Sequence, residues 1–276
     1  MSPVSLAKNN LTDKFFRYNT CMPHSAEKLK ALILAAGFGT RLGELGQKTA
    51  KGLFPNAQGK SIFDLLIKNL QEQSEIDEIA VVTNNRFYEQ YQTAAKKFPD
   101  LNIKIINDGV DNSENRLGSL GDLELALTQL NWWEENILIT PSDRTPEKFL
   151  PKLINLFFQH QTQAAVTTIT KRSKKIIKNR FGCIEINVEN KIINFEEKPQ
   201  EPKSDYASIP FYIYPSAALN LLKSYKKSGR NMDSPGNFIP WLLKNEFPIY
   251  ALATNDNSFD IGNKQELENF QNNHHG

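Results

Sequence analysis

The hydrophobic positions of this chain fall into two rhythms that alternate along its length. Ala31, Leu32, Ile33, Leu34 and Ala35 form an unbroken apolar run too short for a helix, and it reads as a buried strand. Runs of the same kind cover residues 78–83, 103–107, 136–140, 164–170, 208–214 and 249–253. Between them, apolar residues recur at helical spacing. Ile62, Leu65, Leu66 and Leu70 put an amphipathic helix over 61–73. Similar patterns put helices over 86–98, 121–130, 146–160, 217–227, 238–245 and 264–271. Residues 182–187 and 191–195 read as a hairpin. Strand and helix alternate from the first run onward, which predicts an α/β fold with a parallel sheet and helices on both of its faces. Ligands in such sheets bind beyond the carboxyl ends of the strands. The loops after residue 35 and after residue 107 are therefore the first places to look for chemistry.

Composition narrows the class. A chain of 276 residues can bury one large core. Its 33 basic and 31 acidic residues leave a net charge of +2, which gives no reason to expect nucleic acid or an anionic membrane as partner. The two cysteines, Cys21 and Cys183, have neither metal spacing nor a disulfide framework, so a cytoplasmic, reducing setting is expected. No apolar stretch is long enough to span a membrane, and residues 1–27 carry no signal-peptide pattern. Residues 1–28 are expected to be a polar N-terminal extension, either loosely held or pinned through Phe15, Phe16 and Tyr18. His274 and His275 read as solvated. The basic run 171–180 reads as a solvated hairpin or flap, or as a segment that steers anionic substrates.

The loop after the first strand reads Ala36-Gly37-Phe38-Gly39-Thr40-Arg41, and Lys51 follows. Small residues leave backbone N–H groups open to a ligand, and the two cations neutralise charge, as a polyphosphate requires. The loop is neither of the standard phosphate loops. Leu42 stands where the dinucleotide pattern needs its third glycine, and the Walker spacing is missing. Asp143, just past the end of the 136–140 strand, is placed either to hold Mg²⁺ or to cap the helix that follows. Glu197 and Lys198 are open to two readings: an exposed strand end with alternating charge, or a carboxylate for a diol beside an ammonium for a phosphate. Ser119 is a plausible helix cap, and Arg116 could serve a phosphate or a base.

These motifs, in this order, resemble the sugar-phosphate nucleotidylyltransferases over about residues 29–267. Leu34 to Leu42 match the family's L-A-A-G-x-G-T-R-L, and Lys51, Leu53 and Pro55 match its P-K-x-L-x-P. Phe195-Glu196-Glu197-Lys198-Pro199 and Asp260-Ile261-Gly262 match its later motifs. Glu44, Gly46, Ala50, Ser142 and Pro210 depart from the usual residues. The departures before Lys51 are expected to loosen the loop, and Pro210 removes a backbone donor.

The resemblance implies a single Rossmann-like domain over 29–271, with a mostly parallel central sheet and a smaller β-rich sugar-binding region. It implies that an NTP and a sugar 1-phosphate are joined into an NDP-sugar with release of pyrophosphate. Ala35, Ala36, Gly37, Gly39, Thr40, Arg41, Lys51, Arg116 and Gly118 would bind the nucleotide. Arg41, Lys51 and Asp143 would be catalytic, and Glu197 and Lys198 would bind the sugar phosphate. Asp143 and Asp260 would hold Mg²⁺, as carboxylates that face each other unpaired until it binds. Two alternatives remain open: a cytidylyltransferase for a phosphorylated alcohol such as phosphocholine, and a silent regulatory homologue that binds a nucleotide-sugar.

Overall fold

β1 (Leu29–Leu34) lies inside the sheet because Ala31 to Leu34 are apolar on both faces, while Lys30 near its start is buried with ion pairs to Asp77 and Glu78. The computed structural model describes residues 28–145, 147–255 and 260–272. The expected arm through residue 27, Cys21 and the two terminal histidines lie outside the described residues. Eight further strands follow among those described: β2 (Ile76–Thr83), β3 (Ile103–Asn107), β4 (Ile137–Pro141), β5 (Ala165–Lys171), β6 (Cys183–Ile186), β7 (Ile192–Glu196), β8 (Tyr206–Tyr214) and β9 (Ile249–Thr254). The sheet runs β3-β2-β1-β4-β8-β5-β9. β3, β2, β1 and β4 pair in parallel, and so do β5 and β9. β8 runs antiparallel between β4 and β5, so the sheet is mostly rather than wholly parallel. The β6–β7 hairpin joins it through β6 and β8, and forms the smaller β-rich region.

Alternation along β1 divides the core. Leu32 packs on one face with Val82, Ile106 and Ile139, beneath the Ser119–Leu130 and Phe238–Lys244 helices. Ala31 and Ile33 pack on the other face with Val81 and Leu138, beneath Ile62–Gln71, Tyr88–Ala95 and Leu150–Gln159. This is the two-sided burial that a parallel sheet needs. Ser61 starts its helix through a reciprocal cap: Asp64 N–H donates to Ser61 Oγ at 3.1 Å, and Ser61 N–H donates to Asp64 Oδ2 at 2.9 Å.

A third, smaller cluster decides where the site forms. Leu42, Phe54 and Ile62 bury against Ile261, Leu267 and Phe270. The segment around residue 260 is thereby fastened to the loop after β1.

Several expectations shift. The 217–227 helix is two helices, Ser216–Asn220 and Leu222–Lys227. The basic connector holds a one-turn helix, Lys174–Ile177, whose Ile177 is buried beside Cys183 and Ala207 while its lysines face solvent. Ser119 is the first helical residue rather than the cap; Gly118 takes the cap position at φ 78°, with no side-chain cap. Pro210 lies at an irregularity in the β5–β8 pairing, where Thr167 faces Tyr212 and Thr168 faces Ile209. A residue without an N–H costs little where the ladder is interrupted.

Candidate active site

The carboxyl ends of β1 and β4 open into a cleft of about 200 Å³. Ala35, Ala36 and Gly37 line one wall, and Lys51, Ser142 and Asp143 line the next. β1 is held to its neighbours up to the edge: Ala35 N–H donates to Val82 O at 2.8 Å, and Asn84 Nδ2 donates to Ala36 O at 2.9 Å. The chain then turns through Gly39, at φ 63°, into a short 3₁₀ turn, Thr40–Leu42. The expected loosening by Gly46 is not what the loop shows. A Cβ on Gly46 would lie 2.1 Å from Gly39 O, so the small residue is required for close packing of this loop against the Glu44–Lys48 helix.

Lys51 and Asp143 meet at 3.3 Å, Nζ to Oδ2, although 92 residues separate them. Asp260 stands next to Asp143. Ile261 N–H donates to Asp143 O at 3.1 Å, and Arg144 pairs with Asp260 as an isolated antiparallel bridge. Arg144 Nη2 donates to Asp260 Oδ2 at 2.5 Å. Burial pushes the Asp260 carboxyl above its ordinary value, Arg144 opposes this, and the nearby charges of Asp143 and Glu266 add to the rise. The picture of two unpaired carboxylates is therefore corrected: each has its own cation, Lys51 for Asp143 and Arg144 for Asp260. Arg41 is exposed, and its guanidinium lies beside Gly262, so the cation of the glycine loop reaches the segment that carries Asp260.

A second group gathers on the loop between the helices ending at Lys227 and starting at Phe238. Arg116 forks onto Asp233 with two bonds of 2.9 Å, from Nε and Nη2. That carboxyl is held below its ordinary value, chiefly by the Arg116 hydrogen bonds. Leu120 N–H donates to Met232 O at 2.9 Å, and a Cβ on Gly118 would lie 2.5 Å from the same oxygen. Ser234 Oγ donates to Glu197 Oε1 at 3.2 Å, and Lys198 Nζ lies 3.6 Å from the same Glu197 oxygen. Lys198 adopts φ 48°, a left-handed conformation that is rare for lysine and concentrates at functional sites.

The residues singled out by the motifs thus fall into three adjoining places. Ala35, Ala36, Gly37, Lys51 and Asp143 line the cleft itself; Asp260 and Arg41 border it through the 260–262 segment; Glu197, Lys198, Arg116 and Gly118 meet on the 230–236 loop. Sequence reasoning missed Asp122, Arg144 and Asp233. Asp122 had a legible signal, because it falls on the apolar face of its helix with Leu123, Ala126 and Leu127. Arg144 and Asp233 had none, since each is defined by a partner more than a hundred residues away.

The nucleotidyl transferase family model matches residues 30–275, and the chain belongs to that family. A glucose-1-phosphate adenylyltransferase of Mycoplasma mobile is 28% identical over 247 residues, covering 86% of this chain and 64% of the relative. Another of the same name, from Clostridium novyi, is 26% identical over 255 residues, covering 87% of this chain and 65% of the relative. This chain therefore spans just under two thirds of the length of both. A solved structure from Bacillus anthracis, described as a candidate glucose-1-phosphate thymidylyltransferase in complex with a sucrose, superposes with a TM-score of 0.72 at 22% identity. That match covers 88% of this chain and 94% of the other, and it establishes the common fold. Among the described residues, no helix is long and apolar enough to cross a membrane.

Proposed function

We propose that this chain is a sugar-1-phosphate nucleotidylyltransferase, with residues 29–271 as its catalytic unit. A phosphate oxygen of the sugar 1-phosphate attacks the α-phosphorus of an NTP. The bond to the β-phosphate breaks, and pyrophosphate leaves with its electron pair. No covalent enzyme intermediate is needed, so the work of the protein is positioning and charge neutralisation. The observation that carries this reading is the meeting of Lys51 and Asp143 at 3.3 Å, beside Asp260, in a cleft walled by the Ala35–Gly37 backbone.

In this reading the N–H groups of the glycine loop and Arg41 hold the triphosphate, while Lys51 stands at the α-phosphate. Thr40 and Gly39 shape the loop, and Arg116 with Gly118 fixes the far wall of the nucleotide site. Glu197 takes sugar hydroxyls, and Lys198 takes the sugar phosphate. The donor set suits Mg²⁺: two adjacent carboxylates supply hard oxygens, and phosphate oxygens and water complete such shells. Asp143 and Asp260 would hold the ion, which supplies Lewis-acid polarisation of the α-phosphate when bound. Their present partners, Lys51 and Arg144, keep these two charges balanced when the ion is absent. The names of the two relatives support glucose 1-phosphate as the first acceptor to try, and a cytoplasmic setting suits these soluble phosphorylated substrates.

The test is pyrophosphate release across a matrix of NTPs and sugar 1-phosphates with Mg²⁺. Release from at least one pair, dependent on both partners, is expected. Phosphocholine or another phosphorylated alcohol outperforming every sugar phosphate would replace the acceptor assignment, and no release from any pair would overturn the reading.

A further inference from the structure

Asp122 is the buried acid of the cleft that nucleotidyl transfer, as described above, does not use. It stands in the first turn of the Ser119–Leu130 helix and lines the same cleft as Ala36, Gly37 and Lys51. It is only 6% exposed, yet its Oδ1 has no hydrogen-bond partner among the described residues. Buried polar atoms in folded proteins are almost always satisfied, so one left unpaired in a residue that lines a cleft points to a ligand that completes it.

The sheet order says which part of a ligand that is. Lys51 follows β1 and Asp143 follows β4, so the phosphate-binding cation stands at the boundary of these two neighbouring strands. Pro210 of β8 and Pro235 line the cleft beyond β4, on the side of the Glu197 group. The start of the Asp122 helix meets the 230–236 loop through Leu120, but Asp122 itself faces the β1–β3 half of the sheet. Its helix packs on β1 and β2, and its charged neighbour is Asp108, in the loop after β3. A nucleotide whose α-phosphate lies at Lys51, with its acceptor on the β8 side, has its nucleoside on the Asp122 side.

We propose that Asp122 reads the nucleobase by accepting a hydrogen bond from an amino edge. This inference rests on the cleft being the nucleotide site proposed above. Guanine is the best match, since its ring N–H and exocyclic amine present two adjacent donors to one carboxylate. Adenine and cytosine offer one exocyclic amine each. Uracil and thymine offer a single N–H between two carbonyl oxygens, which face a carboxylate with like partial charge. Burial, and then the charge of Asp108, push the Asp122 carboxyl up to about 7, so the group is mostly ionised at pH 8 and acts there as an acceptor.

The experiment measures kcat and KM at pH 8 for ATP, GTP, CTP, UTP and dTTP at a fixed acceptor, with wild type and with Asp122→Asn. Wild type is expected to favour the amino-bearing bases, with GTP first. A site built to hydrogen-bond a substrate discriminates strongly, so Asp122→Asn should lose about tenfold or more in kcat/KM for the favoured NTP. It should hold or gain on UTP and dTTP, with an unchanged KM for the acceptor. A wild type that prefers UTP or dTTP overturns the inference, as does a variant that keeps the wild-type ranking. If the variant does not fold, the wild-type ranking alone decides. A wild type that releases pyrophosphate from no pair overturns the transfer reading instead; equilibrium binding of GTP against UTP then tests Asp122 separately, and equal affinity overturns it.

Discussion

A methyl group on Gly46 would lie 2.1 Å from the carbonyl oxygen of Gly39. The two residues belong to the loop and the short helix that together lead from β1 to Lys51, so their contact sets the path of the chain between the two cations. Gly46→Ala is expected to destabilise the fold by about 1–3 kcal/mol, the usual cost of forcing atoms into filled space. Pyrophosphate release should fall along with the melting temperature, because the strain is relieved by moving the loop. Unchanged Tm and unchanged turnover would show that this contact does not constrain the loop.

Lys51→Ala removes the cation at the reacting phosphate and leaves Asp143 without its partner. A loss of about two to four orders of magnitude in kcat/KM is expected, as for removal of a group that stabilises charge in the transition state. The variant should still fold, since the pair is partly open to solvent. Near-native turnover would remove Lys51 from the chemistry.

Glu197 accepts from Ser234 and lies beside Lys198, so it is positioned from two directions. Glu197→Gln keeps the shape and removes the charge. KM for the sugar phosphate should rise several-fold, while KM for the NTP stays close to wild type. Equal changes in the two constants would mean that Glu197 serves the 230–236 loop rather than the sugar.

Asp122 gives stability a pH signature. Its carboxyl is raised from the ordinary 3.8 to about 7 by burial, with Asp108 adding to the effect. Between these values the folded chain keeps a proton that the unfolded chain has released. The contribution of Asp122 is therefore most favourable below pH 3.8, declines as pH rises towards 7, and is flat above it. Asp122→Asn abolishes the decline, and its Tm relative to wild type should climb by several degrees from pH 4.5 to pH 8. Other carboxylates titrate in both proteins, so the difference between the two curves is the measurement. Parallel curves would show that Asp122 ionises normally in the folded state.

Much of the fold was legible because burial leaves a pattern in the sequence. β3 (Ile103–Asn107) and the Lys264–Gln271 helix appear with the boundaries that their apolar spacing predicts. The Ile62–Gln71 helix begins at the residue after its Ser61 cap. The Glu44–Lys48 helix was not legible, since five residues with one buried glycine carry no periodicity. In the site, the glycine loop, Lys51 and Asp143 could be named because their motifs are local. The pairing of Arg116 with Asp233 and of Arg144 with Asp260 could not, because each depends on how distant loops are brought together by the sheet. Pro210 was legible as a missing backbone donor, and the interruption in the β5–β8 ladder shows why the strand tolerates it.

The cluster of Leu42 and Phe54 with Ile261, Leu267 and Phe270 has a consequence for biosynthesis. All nine strands among the described residues are complete by Thr254, whereas Asp260 and the helix that anchors it come later. Leu42 and Phe54 are therefore synthesised long before the apolar side chains that cover them. Until the 260–270 segment is in place, Leu42 and Phe54 lack these apolar partners and Asp143 has no neighbouring carboxylate at position 260. Docking of one segment thus both buries Leu42 and Phe54 and brings Asp260 beside Asp143.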